Sequence, residues 1–202
     1  MSGDARRHRP HRLALIFLLL AGCATPRAAL LPALPDWATR QQVLAGVDEW
    51  EFAGRVGVSA GEEGFNGKIW WRQDGIVFRA RLSGPLGVGT VFINGHGNIL
   101  SVTDKDGEVT QLDDAERELR DRYGWTIPVR SLRYWALGIP DPGSDAQTRV
   151  DDDGRLVELQ QNRWSVDIDR YAEGGGQSMP RRLTAISDDV RVRLIIDDWT
   201  FR

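Results

Sequence analysis

The residues of this sequence that could do chemistry are a lone cysteine, one histidine outside the N-terminal segment and several adjacent carboxylates. The pairs Asp188–Asp189 and Asp197–Asp198 could serve a carboxylate-dependent hydrolase, although adjacent acids at strand ends are usually solvated. Asp151–Gly154 has the acids of a calcium loop but lacks the alternate spacing and the closing glutamate, so a charged turn is the better interpretation. His96 has no nucleophile or orienting acid beside it and is interpreted as a solvent-facing turn residue. We therefore expect no enzyme activity, no metal site and no cofactor.

Cys23 ends an N-terminal segment with the parts of a secretory signal: a basic start, an apolar run and small residues. The apolar run is far shorter than the ~20 residues that cross a bilayer. The stretch Leu20-Ala21-Gly22-Cys23 resembles the lipobox of bacterial lipoproteins, which implies cleavage after residue 22 and acylation of Cys23. The alternative is an ordinary signal peptide with an incidental cysteine. We interpret residues 1–22 as a lipoprotein signal peptide and Cys23 as the lipid anchor.

The mature chain carries 22 basic and 28 acidic side chains, a net charge of −6. This balance argues against a nucleic-acid partner, which requires a basic face. It also argues against electrostatic adhesion to anionic lipid, so we expect the acyl groups on Cys23 to supply the membrane attachment. Cys23 has no second thiol to pair with, and the 180 residues that follow the signal suffice for a single domain held by its core.

Residues 23–35 are predicted to be a flexible tether, because Pro26, Pro32 and Pro35 interrupt regular structure. Residues 36–202 are predicted to be the folded domain. A helix should begin after Asp36 as N-cap and continue to Trp50, since apolar residues recur there at near-helical spacing.

Alternating apolar and polar residues, separated by turn residues, then predict strands in two groups. The predicted strands are Glu51–Ala60, Phe65–Gln73, Ile76–Ser83, Val88–Asn94, Ile99–Thr103, Glu108–Leu112, Gln147–Asp151, Arg155–Gln161, Trp164–Tyr171, Arg181–Ser187 and Val190–Asp197. Between the groups, Asp113 should cap a helix over Ala115–Tyr123, and Pro128 should open a second helix, Val129–Leu137, that Gly138 ends. The fold class is therefore mainly β (α+β): an antiparallel sheet of about eleven strands, curled into an incomplete barrel and covered by about three helices.

Tryptophan is abundant, with eight in the chain. For any single one, core packing is the ordinary interpretation, but Trp70 and Trp71 are adjacent on a strand and must point to opposite faces of the sheet. A concave face lined with aromatic and aliphatic side chains is what an acyl-binding cavity needs. The side chains predicted to line such a cavity are Trp70, Trp71, Phe78, Leu82, Trp135, Trp164 and Val166.

The loop around Pro85, Leu86 and Gly87 has turn residues and a leucine with no evident partner in its own strand. Leu86 could fold back onto the core. The alternative is an exposed apolar residue that enters a nearby bilayer.

Several motifs together resemble the outer-membrane lipoprotein receptor family LolB, over nearly the whole mature chain and in order. They are the lipobox, Phe52–Val56, Trp70–Gln73, Gly84–Gly87, Ile127–Pro140, Arg181–Thr184 and Asp197–Trp199. The resemblance implies an incomplete antiparallel barrel closed by helices around an apolar cavity. It also implies that Leu86, by its place in the Pro-Leu-Gly motif, promotes membrane insertion.

The resemblance further implies that the protein accepts triacylated lipoproteins from a soluble LolA-like periplasmic carrier and inserts them into outer-membrane lipid. It would act as a monomer, anchored in the outer membrane and facing the periplasm. Ala24, the residue after the acylated cysteine, is not the aspartate that signals inner-membrane retention. The alternative function is a structural or assembly lipoprotein that docks a protein partner on its curved sheet.

Overall fold

A computed structural model describes residues 28–87, 89–123, 126–188 and 190–202, and within them eleven strands form one antiparallel sheet. The strands are β1 (Glu49–Ala60), β2 (Glu63–Asp74), β3 (Val77–Ser83), β4 (Val91–His96), β5 (Ile99–Thr103), β6 (Val109–Leu112), β7 (Ala146–Val150), β8 (Leu156–Gln161), β9 (Trp164–Gly174), β10 (Gln177–Ser187) and β11 (Val190–Phe201). The helices are α1 (Trp37–Ala45), α2 (Ala115–Tyr123) and α3 (Val129–Leu137), and a 3-10 turn covers Pro85–Gly87.

The first and last strands of the sheet are neighbours at its centre. The spatial order is β6-β5-β4-β3-β2-β1-β11-β10-β9-β8-β7, so β6 and β7 are the two edges. No ladder joins these edges in the described part of the chain, and the predicted incomplete barrel is confirmed. Register shifts beside Gly54 in β1 and beside Pro180 in β10 mark bulges, which bend strands and help a sheet to curl.

Alternation of buried and exposed residues in the strands separates two faces of the sheet. In β11, Val190, Val192 and Leu194 are buried while Arg191 and Arg193 are exposed. Every second residue is likewise the more buried one along β1, β2 and β3. We call the buried face, on which α3 packs, the inner face, and the opposite one the outer face. The inner face supplies most of a single hydrophobic core.

Two helix boundaries differ from the sequence prediction. The first helix ends at Ala45 rather than Trp50, because Trp50 belongs to β1 and pairs with Gln73 and Phe201. Asp36 does cap it, accepting from the Thr39 N–H at 2.8 Å. The second helix is capped by Asp114 rather than Asp113, since the Asp114 carboxylate accepts from Arg117 N–H at 3.3 Å. The third helix ends as predicted at Gly138, which adopts φ 78°.

The end of the predicted tether is packed on the domain. The N–H of Ala29 donates to the carbonyl of Phe201 and that of Leu31 to the carbonyl of Gly175, each at 2.8 Å. Leu31 and Leu34 are buried in the core. The connection between the predicted strands Trp164–Tyr171 and Arg181–Ser187 is also shorter, because β9 and β10 pair up to Gly174 and Gln177. Cys23 lies outside the described residues.

Candidate functional site

A row of aromatic rings crosses the inner face of β1, β2 and β3. Phe52 pairs with Trp71 across the β1–β2 ladder, and their ring centroids are 6.2 Å apart and nearly parallel. Trp71 in turn stacks on Phe78 of β3 at 4.2 Å, with the two ring planes 4° apart. Trp50 lies beside both Phe52 and Trp71, stacked 6.0 Å from the first and 6.4 Å from the second. We call these four residues the aromatic row.

Gly95 of β4 makes room for the last ring of the row. A Cβ built on Gly95 would lie 1.8 Å from Cε1 of Phe78, so no residue with a side chain fits without displacing the ring. Phe78 and Gly95 are register partners in the β3–β4 ladder. The ring therefore lies flat over the neighbouring strand and presents its face to Trp71.

Helix α3 lies over the aromatic row. A small apolar space lies between the helix and the row, and we call it the closed space. Leu132 and Ala136, one helical turn apart, face the sheet. The space has a volume of about 40 Å³ and only apolar lining. The lining residues are Trp50, Phe52, Val56, Ile69, Trp71, Leu132, Ala136, Val192 and Leu194. This volume is far smaller than a fatty acyl chain, so a chain fits only if the walls of the space move apart.

The C-terminal end of α3 is fixed to the sheet by the buried side chain of Gln161. Its Oε1 accepts from Trp135 Nε1 and from the N–H of Asp141, both at 2.9 Å. Its Nε2 donates to the carbonyls of Asp141 at 2.7 Å and Ser144 at 3.0 Å. Every polar position of this amide has a partner, whereas the N-terminal end of α3 has no side-chain cap.

An open groove runs beside the N-terminal half of α3 and reaches the aromatic row. It has a volume of about 380 Å³ and is mostly apolar. Phe78 forms part of its wall together with Ile76, Val129 and Tyr134, and Arg130 and Arg133 stand at the same groove. Because Phe78 stacks on Trp71, the row connects solvent at this groove to the closed space under the helix.

The predicted cavity residues separate into three groups. Trp71 lines the closed space and Phe78 adjoins it, while Leu82 is half-buried against the core. Trp135 and Trp164 lie 6.1 Å apart and are buried with Val166 in the other half of the sheet, outside the closed space. The prediction that Trp70 lines the cavity is wrong. Its side chain points to the outer face, opposite Trp71, because successive side chains of a strand alternate.

Sequence reasoning missed most of the lining of the closed space. The strand positions of Phe52, Ile69 and Val192 follow the ordinary alternation of core residues. Nothing in that pattern marks a ligand site. Leu132 and Ala136 lie in a helix that the sequence predicted, but the sheet partner of their face is set by long-range packing. Only the structure brings these five side chains together.

The backbone of Leu86 lies in the 3-10 turn between β3 and β4, flanked by Pro85 and Gly87. The N–H of Gly87 donates to the Gly84 carbonyl at 3.0 Å, which closes the turn. Thr90 Oγ1 donates to the carbonyl of Gly87 at 3.3 Å. The side chain of Leu86 is outside the described part of the structure, and its protrusion stays a prediction.

The candidate catalytic and metal-binding groups have structural roles or face solvent. Asp151 accepts from the N–H groups of Asp153 and Arg155, and its carboxylate pairs with the Arg155 guanidinium at 2.8 Å, as in a charged turn. Asp197 pairs with Arg55 and Arg181, each at 3.1 Å, and His96 is exposed. No cluster of metal-binding side chains occurs among the described residues.

Tyr171 and Arg40, whose pKa values burial shifts, also lie away from the apolar space. Burial raises the pKa of Tyr171, whose hydroxyl donates to the carbonyl of Leu156 at 2.6 Å. Burial likewise lowers the pKa of Arg40, which holds α1 on β10 through the Ser178 carbonyl at 2.9 Å. None of the helices in the described ranges is long and apolar enough to span a membrane.

Comparison with known proteins gives concordant matches. The family model for outer membrane lipoprotein LolB matches residues 48–199. The chain is 35% identical over 185 residues to the outer-membrane lipoprotein LolB of Pseudomonas aeruginosa strain PAO1, covering 90% of each protein. It is 33% identical over 190 residues to that of Pseudomonas savastanoi pv. phaseolicola, covering 91% of this chain and 92% of the relative.

A solved structure shares the fold at low sequence identity. A LolA superfamily protein from Nitrosomonas europaea aligns with a TM-score of 0.52 and 10% identity, over 84% of this chain and 94% of the other. At this identity the likeness concerns the fold alone.

Proposed function

Because this chain belongs to the LolB family of outer-membrane lipoproteins, we propose that its inner sheet face receives the acyl chains of lipoproteins. Its function is that of an outer-membrane receptor in lipoprotein localisation, lipid-anchored and facing the periplasm. The specific partners we propose are a soluble LolA-like carrier as donor, triacylated lipoproteins as cargo and outer-membrane lipid as acceptor. We propose that the receptor acts as a monomer and without catalysis.

The observation that carries this proposal is the apolar space closed between α3 and the aromatic row. An acyl chain in water exposes methylene groups worth about 0.8 kcal/mol each. A site lined only by apolar side chains removes that surface from water without demanding a specific polar partner. With a present volume of about 40 Å³, the space must enlarge when a chain enters.

The arrangement of hydrogen bonds indicates how the space would open. Gln161 holds the C-terminal end of α3 with a fully bonded buried amide, which is costly to break. The N-terminal half carries Leu132 over the space and borders the open groove at Phe78. We infer that α3 lifts at its N-terminal end, which breaks the bonds of Ser131 Oγ and Arg130 Nε to the Asp141 carboxylate, at 3.0 and 3.5 Å, so that an acyl chain enters from the groove along the aromatic row.

Transfer through such a site needs no nucleotide if each step is downhill. The receptor must bind an acyl chain more tightly than the donor carrier and less tightly than the bilayer. A site that is nearly closed when empty suits this requirement, because opening it consumes part of the binding free energy and leaves the cargo ready to move on to lipid. We propose that the turn carrying Leu86 assists the final step.

The mature chain with Cys23→Ala is expected to remain folded and to accept cargo from the carrier in solution. Residues 29–34 are already packed on the domain, so acylation of Cys23 should localise the domain rather than complete its site. The measurement is co-elution of lipoprotein with the variant after mixing with carrier-bound cargo. Failure of the folded variant to take any cargo would contradict the proposal. Binding of a partner that carries no lipid would favour the docking alternative.

Filling the closed space is expected to block acyl binding. Ala136→Phe adds a ring where the lining leaves about 40 Å³, and we expect fatty-acid affinity to fall about tenfold or more, which is 1.4 kcal/mol or more. Tryptophan fluorescence during palmitate titration measures this, because Trp50 and Trp71 line the space. The control is Ala115→Phe, an equally buried helix alanine outside the space. Equal loss in both variants would mean that overpacking alone explains the effect.

A further inference from the structure

The outer face of the sheet carries a concentration of positive charge around β1–β4 and the start of β11. Strand parity places seventeen side-chain positions outward there, in residues 51–59, 66–72, 79–83, 92–94 and 191–195. One of these positions is a carboxylate, Glu51, and seven are cations. The outward carboxylates Glu49, Asp74 and Asp197 of the same strands lie at the border of this area. The cations are Arg55, Lys68, Arg72, Arg79, Arg81, Arg191 and Arg193. We call this surface the outer basic face; its local charge is opposite in sign to that of the whole chain.

Most of these cations have no acidic partner. Arg72 pairs with Glu51 at 3.4 Å and Arg55 with Asp197 at 3.1 Å. Within the described residues, the other five form neither an ion pair nor a hydrogen bond through their side chains, and all five are exposed. Unpaired like charges repel one another, so their clustering gives nothing to the stability of the free domain. Such a cluster favours an anionic partner.

A groove on the outer basic face connects the charges to the turn that carries Leu86. Its volume is about 640 Å³, and its wall includes Lys68, Arg191 and Arg193 together with Gly84 and Pro85. Next to it, Trp70 of β2, Arg81 of β3 and Phe92 of β4 form one cross-strand row. Phe92 is 48% exposed. Cations interleaved with tryptophan and phenylalanine are typical of surfaces that sit at a membrane–water interface.

The position of the chain's N-terminal segment agrees with a sheet lying along a membrane. Ala29 bonds to Phe201, at the end of the sheet where β1 begins. Ser83, where the turn with Leu86 begins, pairs with Lys68, which in turn pairs with Arg55. At 3.3 Å per residue, Arg55 lies about 20 Å along the strands from the end where β1 begins. The six-residue step from Cys23 to Ala29 spans at most about 20 Å. The anchor and the turn can therefore reach one bilayer together, and an orientation with the strands roughly parallel to its surface is one that permits this.

We propose that the outer basic face docks on the anionic phospholipid headgroups of the bilayer in which Cys23 is anchored. The inner face is covered by α3, so the outer face is the one that a flat orientation can turn to lipid. The exposed Phe92 and the half-buried Trp70 among the cations favour lipid over an acidic protein. This interaction goes beyond cargo reception: it sets the orientation of the receptor and brings the Leu86 turn to the lipid surface.

The test uses the acylated chain in vesicles, with a lipid-sensitive fluorophore on a single introduced cysteine. Ser59→Cys places the fluorophore in the groove of the outer basic face, and Thr148→Cys places it on the edge strand β7 as a control. With phosphatidylglycerol in the vesicles, we expect strong quenching by brominated lipid at position 59 and little at 148. Vesicles of phosphatidylcholine alone, or high salt, should abolish the difference.

Charge-reversal variants test whether docking depends on the cations of the outer basic face or only on the net charge of the protein. Arg191→Glu with Arg193→Glu should lower quenching at position 59 about tenfold on anionic vesicles, as expected when surface cations are lost. Arg163→Glu with Arg170→Glu makes the same charge change at exposed arginines elsewhere and should have no effect. If the first pair impairs folding, Lys68→Glu with Arg81→Glu replaces it.

Equal quenching at both positions, or quenching that the charge reversals leave unchanged, would overturn the proposal. Loss of cargo uptake from the carrier with unchanged quenching would also overturn it, and would assign the face to the carrier instead. A wild-type chain that quenches as expected but takes no cargo would contradict the receptor proposal and leave lipid docking standing.

Discussion

Leu86→Glu is expected to slow insertion of lipoproteins into vesicles about tenfold or more while the domain still folds and still takes cargo from the carrier. Burial of one leucine contributes roughly 1.5–3 kcal/mol, which is too little to anchor a protein but sufficient to change the rate of a step at the bilayer surface. A glutamate at the tip of the Pro85–Gly87 turn loses this contribution and adds a charge that lipid excludes. Transfer of fluorescent lipoprotein from receptor to vesicles measures the effect.

The control for this substitution is Val109→Glu, which places the same charge on an exposed apolar residue of the edge strand β6. It should leave insertion unchanged. Leu86→Ile and Leu86→Phe, which keep an apolar side chain, should insert cargo at the normal rate. If Leu86→Glu unfolds the domain, the leucine belongs to the core; if it folds and inserts cargo normally, the leucine has no part in release.

Gln161→Leu is expected to destabilise the domain by about 3 kcal/mol or more. The substitution leaves two buried donors and two carbonyls without the partners that the amide supplies, and each unsatisfied buried group costs about 1–3 kcal/mol. For a domain of this size the melting temperature should fall by about 6–12 °C. Thermal unfolding followed by circular dichroism measures it.

Gln160→Leu is a matched control, because the neighbouring glutamine is exposed and bonds only to Ser165 Oγ at 2.8 Å. Its stability should differ little from wild type. A Gln161→Leu domain as stable as this control would mean that water or a rearranged backbone replaces the amide, and that the C-terminal end of α3 is not the fixed end. In that case our inference about how α3 lifts would also fail.

Much of the fold follows from local pattern. Period-two alternation predicted the strands, since most of them have one buried and one exposed face, and Asp36, Pro128 and Gly138 marked helix ends. The edge strand β7 is exposed at every position. Local pattern failed where two periods overlap: Trp50 continues the helical spacing of α1, yet its cross-strand partners place it in β1. Residues 28–35 look irregular in sequence and are fixed by backbone hydrogen bonds to distant strands.

The candidate sites were less predictable because long-range pairing creates them. Trp70 and Trp71 were expected on opposite faces, but which face is inner depends on where α3 packs. The outer basic face combines Lys68 with Arg191 and Arg193, which lie on strands far apart in sequence. Net charge conceals this surface, since a chain with net −6 can still carry a strongly basic face.

The central position of β1 beside β11 has a consequence for biogenesis. Trp50 pairs with Phe201, 151 residues away, so the ladder at the middle of the sheet forms only after the last strand has crossed the inner membrane. Such long-range closure makes folding slow. Until then the two half-sheets expose unpaired edges, and the lining of the closed space lacks Val192 and Leu194. The receptor should therefore be unable to bind lipid during its own export, and it gains that ability only when its C-terminal strand arrives.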